Sequence, residues 1–267
     1  MCTIVLLHRL HPDYPLVVAA NRDELYARAS GPAELLGPSP RAVGGNDVQG
    51  GGTWLGANEA GLFVGLTNQR THALPDRSLR SRGLVAREAL RCCSVAAVSE
   101  LVGALDPRAY NPFNLVYGDG ARLFVAYARH EDERIEPAPL GPGLHVLAND
   151  RLGSPEFPKT RRAAARVRAL VERPTPPGWT ELAAGLGQIM ADHARPEPDD
   201  VPAPPPGSLL TRELAHELQA LCIHTPAYGT RSSTILAVVP GSVRHYLFAA
   251  GPPCSAPYRE IATLLAG

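Results

Sequence analysis

The chain has 267 residues, enough for one large domain or two small ones with a full hydrophobic core. Its 26 basic and 26 acidic side chains give a formal net charge of zero, which argues against a nucleic-acid-binding protein. No segment approaches the roughly 18 apolar residues of a membrane span, and no signal peptide precedes the first apolar run. We therefore expect a soluble, cytoplasmic protein without a transmembrane segment.

Cys2 directly follows the initiator Met1. A small residue at the second position generally allows the initiator methionine to be removed, and Cys2 would then carry both a thiol and a free α-amine. Their unperturbed pKa values are about 8.5 and about 7.7–8.0, so one residue could supply both a nucleophile and its base. The alternative is that Cys2 is a small apolar residue that begins a strand.

The apolar pattern predicts pairs of strands interrupted by two pairs of helices. The predicted strands cover residues 3–7, 16–20, 54–57, 62–67, 113–117, 123–127, 134–137, 144–148, 220–224, 232–239 and 243–249. The predicted helices cover residues 84–93, 94–105, 160–171 and 179–193. Residues 28–53 and the acidic, Pro-rich residues 195–207 predict loops, the second of them a surface loop or a mobile flap. A last element is expected over residues 258–265.

This order of elements predicts an α+β fold of antiparallel sheets with helices on the outside, in a single domain over residues 1–267. The first two strands would form a hairpin with Cys2 at its open end. Antiparallel pairing would then bring Asn21, Arg22, Asp23 and Glu24 beside Cys2. A polar residue at the end of one strand is by itself weak evidence for a functional site, because Asn and Asp commonly terminate strands.

Several motifs, taken together and in order, resemble one family. They are Met1-Cys2-Thr3, Asn21-Arg22-Asp23-Glu24, Gly51-Gly52-Thr53-Trp54-Leu55-Gly56, Leu66-Thr67-Asn68, Tyr110-Asn111-Pro112-Phe113-Asn114-Leu115 and Tyr228-Gly229-Thr230-Arg231. This set resembles the NRDE family, whose animal members are called transport and Golgi organisation protein 2. The family in turn resembles the N-terminal-nucleophile hydrolases, and its order of motifs is similar to that of the bile-salt and penicillin V amidases.

The resemblance implies a four-layer αββα sandwich and a role for each matching residue. Cys2 would be the nucleophile, Asp23 the acid that orients it, Asn68 and Asn149 the oxyanion asparagines, and Arg231 the arginine beside the thiol. The amidases carry an arginine three residues before the matched aspartate, where this chain has Ala20. Arg22 is a candidate substitute, although alternation along a strand is expected to turn it to the opposite face. Further binding residues would be Asn21, Arg22, Glu24 and Trp54, with a core role for Trp54 as the alternative.

Two functions fit these residues. The first is a cysteine N-terminal-nucleophile hydrolase that cleaves a non-peptide amide through a thioester and needs no cofactor. The second is a non-catalytic carrier or chaperone for haem, acyl-CoA or another lipid, which the association of the animal relatives with haem trafficking and lipid metabolism implies. In that case Cys2 or a nearby histidine would bind the haem iron. The oligomeric state is not predicted.

No metal site is expected from the spacing of the metal-binding residue types. The five cysteines lack the spacing of a disulfide scaffold or a zinc ribbon, and the nine histidines include no HExxH pair. His72, His145 and His224 lie near predicted strand ends, where a packed or solvated role is the default.

Overall fold

Two antiparallel sheets stack face to face in the computed structural model, which describes residues 2–266. Within those residues, the first sheet has the strand order β10 (Gly143–Leu147), β1 (Cys2–His8), β2 (Leu16–Leu25), β11 (Tyr228–Val239), β12 (Ser242–Ala249) and β13 (Arg259–Glu260). The second has the order β3 (Ala33–Pro38), β4 (Arg41–Gly45), β5 (Leu55–Asn58), β6 (Phe63–Asn68), β7 (Phe113–Gly118), β8 (Leu123–Ala128) and β9 (Ala138–Pro139).

Helices cover the outer faces of both sheets. The α-helices are α1 (Arg82–Ala89), α2 (Val95–Gly103), α3 (Pro158–Val171), α4 (Trp179–Met190) and α5 (Arg212–Glu217). The first two pack on the second sheet, and α3 and α4 pack on the first sheet. Ser94 caps α2, because its hydroxyl accepts a hydrogen bond from the Ala97 N–H at 3.2 Å. Among the described helices, none is long and apolar enough to cross a membrane.

Strand alternation divides the core into layers. Ile4 and Leu6 of β1 pack between the two sheets against residues such as Phe63, whereas Val5 and Leu7 pack against α3 and α4. Both faces of β1 are therefore buried, which explains its continuous apolar run. Each such side chain stabilises the fold by about 1.5–3 kcal/mol through removal of apolar surface from water.

The predicted loop over residues 28–53 is wrong, because it contains the β3–β4 hairpin. The glycines that suggested a loop serve close packing instead. A Cβ on Gly45 would meet the Trp54 ring, and a Cβ on Gly44 would meet the backbone oxygen of Leu55. Only glycine therefore fits where β4 runs beneath these neighbours.

Two further predictions about pairing and strands are wrong. Residues 134–137 form no strand, and the predicted pair does not form, because β9 at 138–139 joins β8 in the second sheet and β10 joins β1 in the first. Residues 220–224 form no strand, and the short helix α5 lies just before them. Leu221 packs with α3 and α4, whereas Ala220 and Ile223 pack beside α5. A short apolar run does not distinguish a strand from other buried chain.

Candidate active site

Strand register assembles the predicted site at one end of the first sheet. Cys2 lies opposite Arg22 in the β1–β2 pair, and Asp23 lies opposite Thr230 in the β2–β11 pair. The predicted hairpin is confirmed, but β2 continues through the polar tetrad to Leu25 instead of ending before it. The extended strand holds these polar side chains at fixed positions, which a turn would not do as firmly.

A cavity of about 520 Å³ opens beside Cys2. Its lining includes Cys2, Arg22, Asp23, Glu24, Arg28, Asp47, Trp54, Asn68, Arg77, Arg80 and Arg82. A second cavity of about 270 Å³ shares Asn68 and Arg82 with the first, and its lining also includes Asn149, Arg70, His72, Leu209, Leu210 and Leu218. A charged cavity and a more apolar one therefore meet at Asn68, and Asn149 lines the second of them.

Asn149 connects Cys2 to the second sheet. Its Oδ1 accepts a hydrogen bond from the backbone nitrogen of Cys2 at 3.1 Å, and its Nδ2 donates to the Asn68 carbonyl at 2.6 Å. After removal of Met1, the nitrogen that Asn149 holds would be the α-amine. Met1 itself lies outside the described residues, so its removal stays a prediction.

Buried polar contacts hold the two strand ends that carry Asn68 and Asn149 together. The hydroxyl of Thr67 donates to the Ala148 carbonyl at 2.7 Å, and Asn114 Nδ2 donates to the Thr67 hydroxyl at 2.9 Å. Because buried hydrogen bonds are costly to break, these contacts fix the distance between the sheets at the site.

Asp23 lies buried on the helix-facing side of β2. The Thr230 hydroxyl donates to its Oδ1 at 2.6 Å. Burial raises the pKa of the Asp23 carboxyl above its ordinary value, whereas the Lys159 ammonium and the hydrogen bond from Thr230 favour the charged form. A buried carboxyl whose pKa is raised by burial and lowered by a nearby charge is typical of a functional site.

Lys159 is a site residue that the sequence reasoning missed. It lies in the first turn of α3, and its side chain is fully buried although lysine is almost never buried without a partner. Burial lowers the pKa of the Lys159 amine, and the Asp23 carboxylate opposes that change. The signal in the sequence was that Lys159 is the only lysine of a chain whose other basic residues are all arginine.

The Cys2 thiol is partly buried at the cavity wall. Burial raises its pKa above the ordinary value, the Asp23 carboxylate raises it further, and the Arg22 guanidinium lowers it. A raised pKa leaves the thiol protonated at neutral pH. Its use as a nucleophile therefore requires a base close by.

The expectation that Arg22 faces away from the thiol is wrong. Ala20 packs between the sheets, and Arg22, two residues further along β2, shares that face with Cys2. The Arg22 guanidinium carbon lies 4.3 Å from the centre of the Trp54 ring, and Nη2 lies 3.7 Å from Glu24 Oε2. Trp54 thus forms an aromatic wall of the cavity and holds Arg22 by a cation–π contact.

Two residues predicted for the site lie elsewhere. The Arg231 guanidinium lies over the Tyr26 ring, 5.5 Å from its centre, and Arg231 is absent from the described lining of the cavity. The register shift between Thr230 and Ser232 makes Arg231 an extra residue in β11 and breaks the alternation that would have aimed it at Cys2.

The Asn21 side chain binds the backbone beneath the first sheet and does not line the cavity. Its Nδ2 donates to the carbonyls of Met190 and Leu221 at 2.8 and 2.9 Å. These two bonds tie β2 to the end of α4 and to the segment that follows α5.

Replacing Asn149 with alanine is expected to lower the free energy of unfolding by about 1–3 kcal/mol, because the backbone groups of Cys2 and Asn68 lose buried partners. Urea unfolding followed by fluorescence measures this change. The matched control is Asn46→Ala, whose amide donates to Glu34 at the surface, and we expect a change within about 0.5 kcal/mol. Equal effects of the two substitutions would contradict a bridging role for Asn149.

Comparison with known proteins identifies the family. A family model described as Transport and Golgi organisation 2 matches residues 1–246. The chain belongs to this family. The transport and Golgi organization protein 2 homolog of Bos taurus is 32% identical over 232 residues, a match that covers 84% of this chain and 82% of the bovine protein. The resemblance found in the sequence motifs is thereby confirmed.

Solved structures show that this family member has the predicted fold. A mutant of the conjugated bile acid hydrolase from Clostridium perfringens matches with a TM-score of 0.58 at 13% identity, over 100% of this chain and 95% of that chain. The N-acylethanolamine-hydrolyzing acid amidase ortholog of Caenorhabditis elegans matches with a TM-score of 0.53 at 12% identity, over 90% of this chain and 95% of that chain. The four-layer, N-terminal-nucleophile hydrolase-like sandwich is confirmed.

Proposed function

We propose that the chain is an N-terminal cysteine nucleophile hydrolase that cleaves a non-peptide amide bond. The observation that carries this proposal is the position of Cys2. Its thiol lines the cavity, while Asn149 holds its nitrogen at 3.1 Å on the adjoining strand end. The structural neighbours support the same class, since one is named a hydrolase and the other an amidase.

The proposed reaction begins after Met1 has been removed. The α-amine of Cys2 takes the thiol proton, and the thiolate forms a bond to the acyl carbon of the amide. The oxyanion that develops would accept hydrogen bonds from the Asn68 amide and from the second Nδ2 hydrogen of Asn149. Collapse breaks the C–N bond, and the ammonium of Cys2 gives its proton to the leaving nitrogen. Water then attacks the thioester, which releases the acid and restores the thiol.

Other side chains of the site would stabilise the two charges that form at Cys2, the thiolate and the ammonium. Arg22 favours the thiolate over the neutral thiol, and so offsets part of the effect of burial. Asp23 would orient the ammonium that forms at Cys2, with Thr230 and Lys159 holding the carboxylate in its charged form.

The lining of the larger cavity favours a polar substrate part. Arg22, Arg77, Arg80 and Arg82 line it together with the carboxylates of Asp23, Glu24, Asp47 and Asp76, so its wall carries both signs of charge. The more apolar cavity beyond Asn68 suits an acyl group. An amide that joins an apolar acyl part to a polar amine part would therefore fill both cavities, with its carbonyl near Asn68 and Asn149.

The alternative function is carriage of haem, acyl-CoA or another lipid in the same cavities. The observation that favours it is the name of the bovine relative, which refers to transport. In this case Cys2, or His72 at the smaller cavity, would bind haem iron, and no bond in the cargo would break.

Trapping the acyl-enzyme tests the proposal against the alternative. Protein from its own host is checked by intact mass for loss of Met1, incubated with a panel of activated N-acyl amides and quenched in acid. We expect an acyl mass on the N-terminal peptide, because a thioester at Cys2 is an obligatory intermediate. Reversible binding of haemin or of an acyl-CoA, with no adduct from any member of the panel, would reject the hydrolase and establish the carrier.

A further inference from the structure

Four metal-binding side chains from three separate segments converge beside the first sheet, apart from the cavity at Cys2. They are His193 just after α4, Cys222 and His224 after α5, and Cys254 after β12. One ligand atom from each lies within 4.8 Å of all the others. Cys222 is buried and the other three are exposed, so the cluster is anchored in the protein and open to metal ions from solvent.

The distances among three of the four ligand atoms, those of Cys222, His224 and Cys254, match the distances between the ligands of a tetrahedral zinc ion. The two sulfur atoms lie 3.7 Å apart, and His224 Nε2 lies 3.7 Å from Cys222 Sγ and 3.3 Å from Cys254 Sγ. Zinc bonds of about 2.3 Å to sulfur and about 2.0 Å to nitrogen place two tetrahedral sulfur ligands about 3.8 Å apart, and a sulfur and a nitrogen ligand about 3.5 Å apart. We propose that His193, Cys222, His224 and Cys254 bind one Zn²⁺ ion.

Neighbouring groups orient the ligands for this role. His193 Nδ1 lies 3.0 Å from the Cys222 carbonyl and donates to it in the matching tautomer, which leaves Nε2 free for a metal. The Cys222 N–H donates to the Asp192 carbonyl at 2.9 Å. The Asp192 carboxylate is held by Arg162 and Arg166 at 2.8 and 2.7 Å. Two of the ligand-bearing segments are thus fixed to each other before any metal binds.

Four protein ligands leave no open position, so the role of this zinc is structural. It would close the chain from His193 to Cys222, which includes the Pro-rich loop, and would attach the loop that carries Cys254. The same segment reaches the active site, because the Ile223 N–H donates to the Thr230 hydroxyl at 2.9 Å and Thr230 donates to Asp23. Zinc would therefore stabilise the backbone that supports Asp23.

The zinc content of the purified protein tests this proposal. We expect one zinc ion per chain after gel filtration, and tetrahedral cobalt bands with a cobalt–thiolate charge-transfer band after exchange with Co²⁺. Cys254→Ser should reduce bound zinc to trace levels and, because cobalt is then no longer held, should also abolish the charge-transfer band. The matched control, Cys93→Ser, removes another exposed cysteine and should keep the full zinc content.

Chelation separates a structural metal from adventitious binding. Treatment of the wild type with a strong chelator should lower the melting temperature, and added Zn²⁺ should restore it, while Cys254→Ser should not respond to either. A metal-free wild type with an unchanged melting temperature would overturn the proposal. A disulfide between Cys222 and Cys254 in the freshly isolated protein, seen by mass spectrometry without reduction, would overturn it as well. Neither result depends on whether the chain hydrolyses amides.

Discussion

Replacing Lys159 with methionine is expected to lower the free energy of unfolding by about 3 kcal/mol at neutral pH, because it removes one charge of a buried, oppositely charged pair. Methionine keeps the apolar volume of the side chain, so the change reports the charge and not a cavity. Urea unfolding monitored by circular dichroism measures the effect. Asp23→Asn should cost a similar amount, because it leaves the Lys159 ammonium buried without the Asp23 charge.

The pH dependence of this effect has a definite sign. The folded protein raises the pKa of Asp23, so the folded state binds more protons than the unfolded state above the unfolded value of about 3.9. Stability due to this group therefore falls as the pH rises through the folded value. Lys159→Met raises that pKa further, so its destabilisation should grow with increasing pH and shrink as acid protonates Asp23.

A double-mutant cycle distinguishes the charge pair from two unrelated defects. The variant with both Lys159→Met and Asp23→Asn should be more stable than the sum of the single effects predicts, since no buried charge of the pair is left alone. Arg161→Met, on the exposed face of the same helix, is the control and should change stability by no more than about 0.5 kcal/mol. Additive effects of the two single substitutions would contradict a coupled pair.

The fold could be predicted from the sequence because strand and helix periods are local properties. The β1–β2 hairpin, the β7–β8 hairpin and α2 follow directly from apolar spacing and turn residues. The β3–β4 hairpin could not be found in this way. Its glycines make room for Trp54 and Leu55, neighbours that the fold alone brings into contact with β4.

The site could be predicted only as far as strand register allows. Cys2 and Asp23 lie where the hairpin puts them, and Asn68 and Asn149 meet because the ends of β6 and β10 meet. The resemblance to the family implied Arg231 as the arginine beside the thiol, and a motif match does not show the bulge that turns this residue away.

Residues contributed by distant segments could not be predicted at all. Lys159 acts on the charge of Asp23 from α3, a helix whose position on the sheet has no signature in the sequence near either residue. The cluster of His193, Cys222 and Cys254 likewise depends on three segments that meet only in the folded chain. Spacing rules for zinc sites detect ligands that share one short segment, and this cluster has a single close pair, Cys222 and His224.

Replacing Cys2 with alanine is expected to abolish turnover of an amide substrate, a fall of about 10⁴-fold or more, because no other group in the proposed mechanism can form the thioester. The turnover of Cys2→Ser should fall less than that of Cys2→Ala, since a hydroxyl can still attack the amide but is a weaker nucleophile than a thiol. Both replacements are small, so removal of Met1 and the free α-amine should be kept. Steady-state hydrolysis of the amide that gives the strongest acyl adduct measures the loss, with substrate affinity nearly unchanged.

Two controls give this loss its meaning. Cys93→Ala removes an exposed thiol that is not among the lining residues of the cavity and should leave turnover unchanged, which excludes a general effect of cysteine loss. A wild-type chain that retains Met1, made in a host lacking methionine aminopeptidase activity, keeps the thiol but has no α-amine at Cys2. If the amine is the base, that chain should fold normally and lose turnover nearly as completely as Cys2→Ala. Full turnover by Cys2→Ala would eliminate the thiol as nucleophile, whereas full turnover with Met1 retained would eliminate only the amine as base.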